Sequence, residues 1–200
     1  MAVRARRISY RCMMNFTVFE TAIGCCGMVW NERGITGVQL PERSEAATRS
    51  RLLRRFPTAR GGIPPAQVRR AIDDIVALLG GERRDLDYVT IDIGAVPEFH
   101  RRVYEAARRI PAGATLSYGE VAERLGDRNL ARDVAEALSK NPCPIIVPCH
   151  RILAAGGRAG GFSAPGGVAT KLRLLTIEGA QPEGPMLFDR LPLAAARPRR

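Results

Sequence analysis

The chain has 200 residues, 46% hydrophobic and 26% charged, enough to bury a core in one larger domain or two small ones. A net charge of +11 and a sequence pI near 10.4 favour an anionic partner, nucleic acid first. Five cysteines (Cys12, Cys25, Cys26, Cys143 and Cys149) in no regular spacing, without a C-x-x-C pair, argue against a disulfide framework, and two histidines (His100 and His150) are too few for a zinc set.

Residues 1–13 read as a basic leader without the apolar stretch of a signal peptide. No run suits a membrane span, so the expected setting is reducing and cytoplasmic. The apolar runs "FTVFET", "CCGMVW" and "ITGVQL" are broken by Gly and Asn turns, the pattern of a β-meander. "SEAATRSRLLRRF" reads as a helix with a solvated arginine face. "PPAQVRRAIDDIVALLGG" opens on prolines, closes on glycines and spaces Val68, Ile72, Ile75 and Leu79 at helical intervals. "DYVTIDI" alternates as a strand does. Residues 14–95 thus form a small α+β domain in the order β-β-β-α-α-β.

Residues 96–180 change character. "PEFHRRVYEAARRI" sets Phe99, Val103, Ala107 and Ile110 on one helical face and stops at Pro111. "SYGEVAERLG" begins with Ser-x-x-Glu, a capping box with Ser117 at the N-cap and Glu120 at N3. After the turn "DRN", "LARDVAEALSKN" turns Leu130, Val134 and Leu138 inward. Two short helices joined this way suggest a helix-turn-helix, with a plain helical hairpin as the alternative. Pro142, Pro144 and Pro148 then bracket "IIV", expected as a short buried strand ending near Cys149. "AAGGRAGGFSAPGG" is a glycine-rich loop that lacks the order of a phosphate loop. "VATKLRLLTIEGA" is a final helix, and residues 181–200 read as a flexible tail.

Cys149 directly precedes His150. A thiol with an ordinary pKa of about 8.5 is under a tenth ionised near neutral pH, so a nucleophilic role needs a base or a positive charge nearby. Sequence adjacency alone does not supply one, and a buried structural cysteine is the bland reading of the pair. Cys143, Cys25 and Cys26 read as packing residues.

The wider stretch "NPCPIIVPCHR" resembles the active-site signature of the O6-alkylguanine-DNA alkyltransferases, also called methylated-DNA–protein-cysteine methyltransferases. The resemblance runs from "PEFHRRVYEAARRIPAGATLSYGEVAERLG" through "EGA", residues 97 to 180. It implies an α+β protein: a small ribonuclease-H-like domain, then a mainly helical domain carrying the helix-turn-helix and the active-site cysteine. It also implies a reaction, irreversible transfer of a methyl or larger alkyl group from O6-alkylguanine in DNA to Cys149, once per molecule.

The resemblance assigns roles as follows. His150 matches a base acting through a water, and Glu178 the group that orients it. Asn141 braces the turn, and Tyr118 stabilises the flipped nucleotide and the departing guanine. Arg132 matches the finger that enters the base stack, with Ala131 and Ala135 beside it on the groove-facing helix. Ser163, Gly166 and Gly167 match the loop that closes over the base. Arg124, Arg128 and Arg151 are candidates to touch phosphate. The implied partner is double-stranded DNA, met as a monomer from the minor groove with one nucleotide flipped, and no cofactor or metal is implied.

Extrusion of the nucleotide costs a few kcal/mol. Three features depart from the family pattern: Asp133 and Glu136 on the groove helix, Phe162 where many members carry tyrosine, and the extra pair Ala164-Pro165. The alternative function is a non-catalytic damage-binding or regulatory protein on the same scaffold. A Cys-His hydrolase would need an oxyanion site that the sequence does not offer.

Overall fold

A computed structural model of the chain describes residues 13–180. The leader (apart from residue 13), Cys12 and the tail 181–200 lie outside the described residues. Three strands open the fold: β1 (Asn15–Phe19), β2 (Cys26–Asn31) and β3 (Gly34–Gln39). They pair antiparallel in sequence order, as the meander pattern predicts. The β2–β3 turn is closed by Asn31, whose Oδ1 accepts from Arg33 N and Gly34 N. Gly34 has φ +145°, and a Cβ there would sit 2.6 Å from the Thr90 carbonyl, so only glycine fits.

Helix α1 (Glu45–Arg55) follows, capped by the Ser44 side chain on Ala47 N. A two-residue strand β4 (Arg60–Gly61) runs parallel to β1 and completes the sheet order β3-β2-β1-β4. Helix α2 (Ala66–Leu79) buries Val68, Ile72, Ile75 and Leu79, the stripe set by their spacing. "DYVTIDI" is not a strand. It meets β3 only at the bridge Ile35↔Ile91, and its alternation arises because Val89 enters the core and Ile91 and Ile93 pack against it from an irregular loop.

Helix α3 (Glu98–Arg108) buries Val103, Tyr104 and Ala107. A two-residue strand β5 (Leu116–Ser117) leads into α4 (Tyr118–Arg124), where the capping box is present in both directions. A 3₁₀ turn (Arg128–Leu130) joins α4 to α5 (Ala131–Ser139), giving the helix-turn-helix. Strand β6 (Ile152–Leu153) pairs parallel with β5, and α6 (Gly167–Ile177) closes the fold. Among the described residues no helix is long and apolar enough to cross a membrane.

One core runs through both halves, joining Met28, Val38 and Ile75 to Val103, Ile146 and Cys149. Polar bonds fasten the halves as well. Val38 N donates to Pro142 O at 2.9 Å, and the Arg108 guanidinium reaches the carbonyls of Leu86, Asp87 and Val89. The second half is thereby anchored to β3 right beside the proline-framed turn.

Candidate active site

The segment expected as the strand "IIV" is instead a tight turn with a single bridge, Pro144↔Val147. Val147 N closes it on Cys143 O at 2.8 Å. Ile145 is the one non-glycine residue at positive φ (76°) among the described residues, a conformation that costs a β-branched side chain of order 1–3 kcal/mol. Its side chain is almost wholly buried, as are Ile146 and Val147, and that burial offsets the strain. The apolar run was legible as buried; the prolines at both ends leave no ladder for a strand.

Asn141 stands in for the missing ladder. Its Oδ1 accepts from Cys143 N at 2.9 Å, and its Nδ2 donates to Val147 O at 2.8 Å and to Cys149 Sγ at 3.3 Å. Pro148, at φ −80° and ψ 66°, makes an inverse γ-turn in which Cys149 N bonds Val147 O at 2.8 Å. Cys149 therefore lies not at a strand end but at the first position of a 3₁₀ turn, Cys149–Arg151, immediately before β6. The pairing of β6 with β5 brings Ser117 opposite Leu153 and so carries Tyr118 to the same site.

Adjacent residues in this turn point different ways. Cys149 retains 8% exposure and opens on a cavity, whereas His150 is fully buried. His150 Nε2 meets Glu178 Oε1 at 2.9 Å, while its buried Nδ1 bonds no protein group. Burial lowers the His150 pKa, opposed by Glu178. Burial alone would raise the Glu178 carboxyl; the hydrogen bonds and charges of His150 and Arg151 outweigh it and hold the group at about 2. With Glu178 ionised, Nε2 carries the proton and Nδ1 presents its lone pair.

Arg151 departs from its expected role. It is 6% exposed, and its guanidinium is spent on Glu178 and on the Ile110 carbonyl, so it is not available to a phosphate. Arg128 is exposed and lies 3.6 Å from Glu123, and Arg124 is exposed near the end of α4. Arg132 is exposed on α5 and has no ion pair among the described residues.

Ala131 and Ala135 are half-buried, and Ala135 lines the cavity with Tyr118, Leu138 and Ser139. Asp133 and Glu136 lie on another side of α5, in a recess beside Phe99 and His100, and Glu136 pairs with Lys140 at 2.6 Å. The acidic residues thus do not line the cavity at Cys149.

That cavity, about 380 Å³, is closed on its far side by Gly161, Phe162 and Ser163. Gly166 (φ 79°) caps α6 in the left-handed region, where a Cβ would strike the Thr170 hydroxyl, and Gly167 (φ 53°) follows. Ala164 and Pro165 accept from Gly167 N and the Thr170 hydroxyl, which ties the extra pair to the start of α6.

Sequence reasoning missed Lys171. It is fully buried, donates from Nζ to Ile152 O and lies 5.8 Å from the Tyr118 ring centroid. Burial lowers its pKa to about 8, and the nearby Cys149 opposes that shift. Burial likewise raises the Cys149 thiol, with the Asn141 bond and the Lys171 charge pulling it back. The signal was available: Lys171 shares a helical face with Leu174, Leu175 and Glu178 and is one of two lysines in an arginine-rich chain. Among the described residues no His, Cys, Asp or Glu cluster could hold a metal ion.

Residues 98–180 match the family described as 6-O-methylguanine DNA methyltransferase, DNA binding domain. The chain is 37% identical over 158 residues to the methylated-DNA–protein-cysteine methyltransferase of Methanothermobacter thermautotrophicus, covering 79% of this chain and 81% of that protein. It is 32% identical over 178 residues to the corresponding protein of Mycolicibacterium paratuberculosis, covering 88% and 100%. Among solved structures it resembles Mycobacterium tuberculosis O6-methylguanine methyltransferase, with TM-score 0.67, 30% identity and coverage of 87% and 96%. It is equally similar (TM-score 0.67, 30% identity) to Mycobacterium tuberculosis OGT in complex with DNA, covering 82% of this chain and 92% of that one.

Proposed function

The chain belongs to the 6-O-methylguanine DNA methyltransferase family, and from that premise we propose how its residues carry out the repair reaction. It is a methylated-DNA–protein-cysteine methyltransferase that binds DNA. The acceptor is Cys149, and the observation that carries this assignment is its sulfur: braced by Asn141 at 3.3 Å, beside a buried His150–Glu178 pair, at the wall of a cavity.

The His150 Nδ1 lone pair takes the thiol proton through an intervening water, and Glu178 holds the ring in the tautomer that permits it. Asn141 and the buried ammonium of Lys171 stabilise the thiolate. The thiolate attacks the O6 alkyl carbon, the Sγ–C bond forms as the C–O6 bond breaks, and the electron pair leaves on guanine. The thiol's proton, first taken by His150, ends on the departing guanine. Tyr118, at the base side of the cavity, serves the flipped nucleotide and the leaving guanine. The thioether product is stable, so each molecule acts once.

The damaged nucleotide reaches the cavity by leaving the duplex. The helix-turn-helix meets the minor groove with the small residues Ala131 and Ala135 against the DNA. Arg132, exposed and unpaired, fills the gap in the stack. Arg128 adds phosphate contact, and Ser163, Gly166 and Gly167 belong to the loop over the base. The protein acts as a monomer in a reducing, cytoplasmic setting. Cys25, Cys26, Cys143 and Cys149 are all free thiols, which suits such a compartment.

The test is intact mass after incubation with a duplex carrying O6-methylguanine. One gain of about a methylene per protein, absent in Cys149→Ala, is the expected result. Lesion binding without any gain would overturn the acceptor role of Cys149.

A further inference from the structure

Cys149 opens on two cavities. The larger lies toward Tyr118 and α5; a second, about 260 Å³, runs the other way to β3 and α1. Ser139, Cys149, Phe162 and Ser163 line both, so the thiol stands at their junction. The reaction needs only one chamber for the base. The second is walled partly by Ala164 and Pro165, the pair that departs from the family pattern.

The geometry of the displacement gives the second cavity a use. Sulfur, carbon and O6 must lie nearly on one axis, so anything else on that carbon projects sideways. With guanine held beside Tyr118, a substituent longer than methyl leaves the junction toward the free space on the other side.

The chemistry of that space is specific. Arg51, Arg55 and Lys140 line it, with the Gln39 amide, and no carboxylate does. Glu42 and Glu136, which pair with Arg51 at 3.3 Å and Lys140 at 2.6 Å, are not among its walls. Arg55 donates only to neutral oxygens, those of Val38, Gln39 and Pro142, so its charge is uncompensated. Val38, Leu40 and Pro144 supply an apolar stretch for a methylene chain.

We propose that this second cavity receives the distal end of O6 substituents longer than methyl and favours those ending in a carboxylate, so that O6-(carboxyalkyl)guanines are a preferred substrate class. The proposal rests on the alkyltransferase reading and extends it to the substituent. The bond changes are those of methyl transfer: Sγ–C forms, C–O6 breaks, and guanine regains a proton.

The experiment compares single-turnover rates on three duplexes, carrying O6-methyl-, O6-(3-carboxypropyl)- and O6-(3-carbamoylpropyl)guanine. The last two differ in charge and hardly in size. Wild-type protein is expected to favour the carboxylate over the amide by about fivefold or more. In the double variant Arg51→Gln, Lys140→Gln, both exposed positions, that preference falls at least about twofold, Arg55 keeping the remainder, while methyl transfer changes less than about twofold. A wild-type ratio near one, or equal slowing on all three duplexes, would overturn the proposal. Absence of transfer from all three duplexes would strike the alkyltransferase reading itself, which a wild-type ratio near one with transfer intact would leave standing.

Discussion

Arg151 grips Glu178 with two nitrogens, Nε on Oε2 and Nη2 on Oε1, each at 2.8 Å and out of solvent. The same Oε1 serves His150, so one carboxylate fixes both the charge balance and the tautomer of the base. Arg151→Met leaves that carboxylate buried without its cation. The expected loss is about 3 kcal/mol of unfolding free energy, read by denaturant titration. DNA affinity of the folded variant should stay within about twofold, with an unchanged salt slope, because the guanidinium does not reach the surface. A salt slope smaller by about one unit would restore the phosphate role.

Asn141 acts on the sulfur and on the turn at once. Asn141→Ala removes the 3.3 Å bond to Sγ and leaves Val147 O and Cys143 N without their side-chain partner. Loss of hydrogen bonding to the thiolate raises the thiol pKa further above its ordinary value. Transfer should slow at least tenfold at neutral pH and recover partly as pH rises. A pH-independent loss would mean that Asn141 serves the turn alone.

The helices, the capping box and the core stripes were legible because each obeys a local period or a local cap. Val103, Ala107 and Ile110 are all buried as their spacing requires. The errors share a cause. "DYVTIDI" and "IIV" carry the apolar content of strands, but strands need partners, and no adjacent sequence reveals that Thr90 lies against Gly34 or that Val147 meets only Pro144 of its own turn. The site shows the same division. Cys149, His150 and Glu178 could be named from "PCHR" and "IEGA", yet the inward turn of Arg151 and the burial of Lys171 depend on tertiary packing. Arg151 looked like a surface cation because its partner lies 27 residues away in sequence.

On α5, position decides which charges matter. Arg132 is exposed and unpaired, whereas Glu136 is turned to Lys140 and away from the cavity at Cys149. Arg132→Ala should cut the repair rate on duplex DNA by tenfold or more, and much less on a single strand, where no stack needs opening. Glu136→Gln should leave both rates within about twofold. Equal effects of Arg132→Ala on both substrates, in single-turnover assays, would show a phosphate contact rather than an inserted finger.

Lys171 should trade stability for rate. Burial holds its folded pKa near 8, below the ordinary 10.5, so at pH 7 the folded state carries a desolvated charge. The unfolded chain binds the extra proton between pH 8 and 10.5, so stability from this group is lowest below pH 8 and rises across that window. Lys171→Met, which removes the charge but keeps the volume, should therefore be more stable near pH 7 by about 2 kcal/mol, after allowance for the lost bond to Ile152 O. The advantage should vanish by about pH 10.5. Transfer should slow about tenfold, because the ammonium lowers the Cys149 thiol pKa. In the unchanged protein the rate should climb with thiolate formation and bend near pH 8, as Lys171 gives up its proton; the variant should show no bend. Thermal melts and single-turnover rates across pH 6–10 decide it: a variant less stable at pH 7, with the bend intact, would make Lys171 a packing residue only.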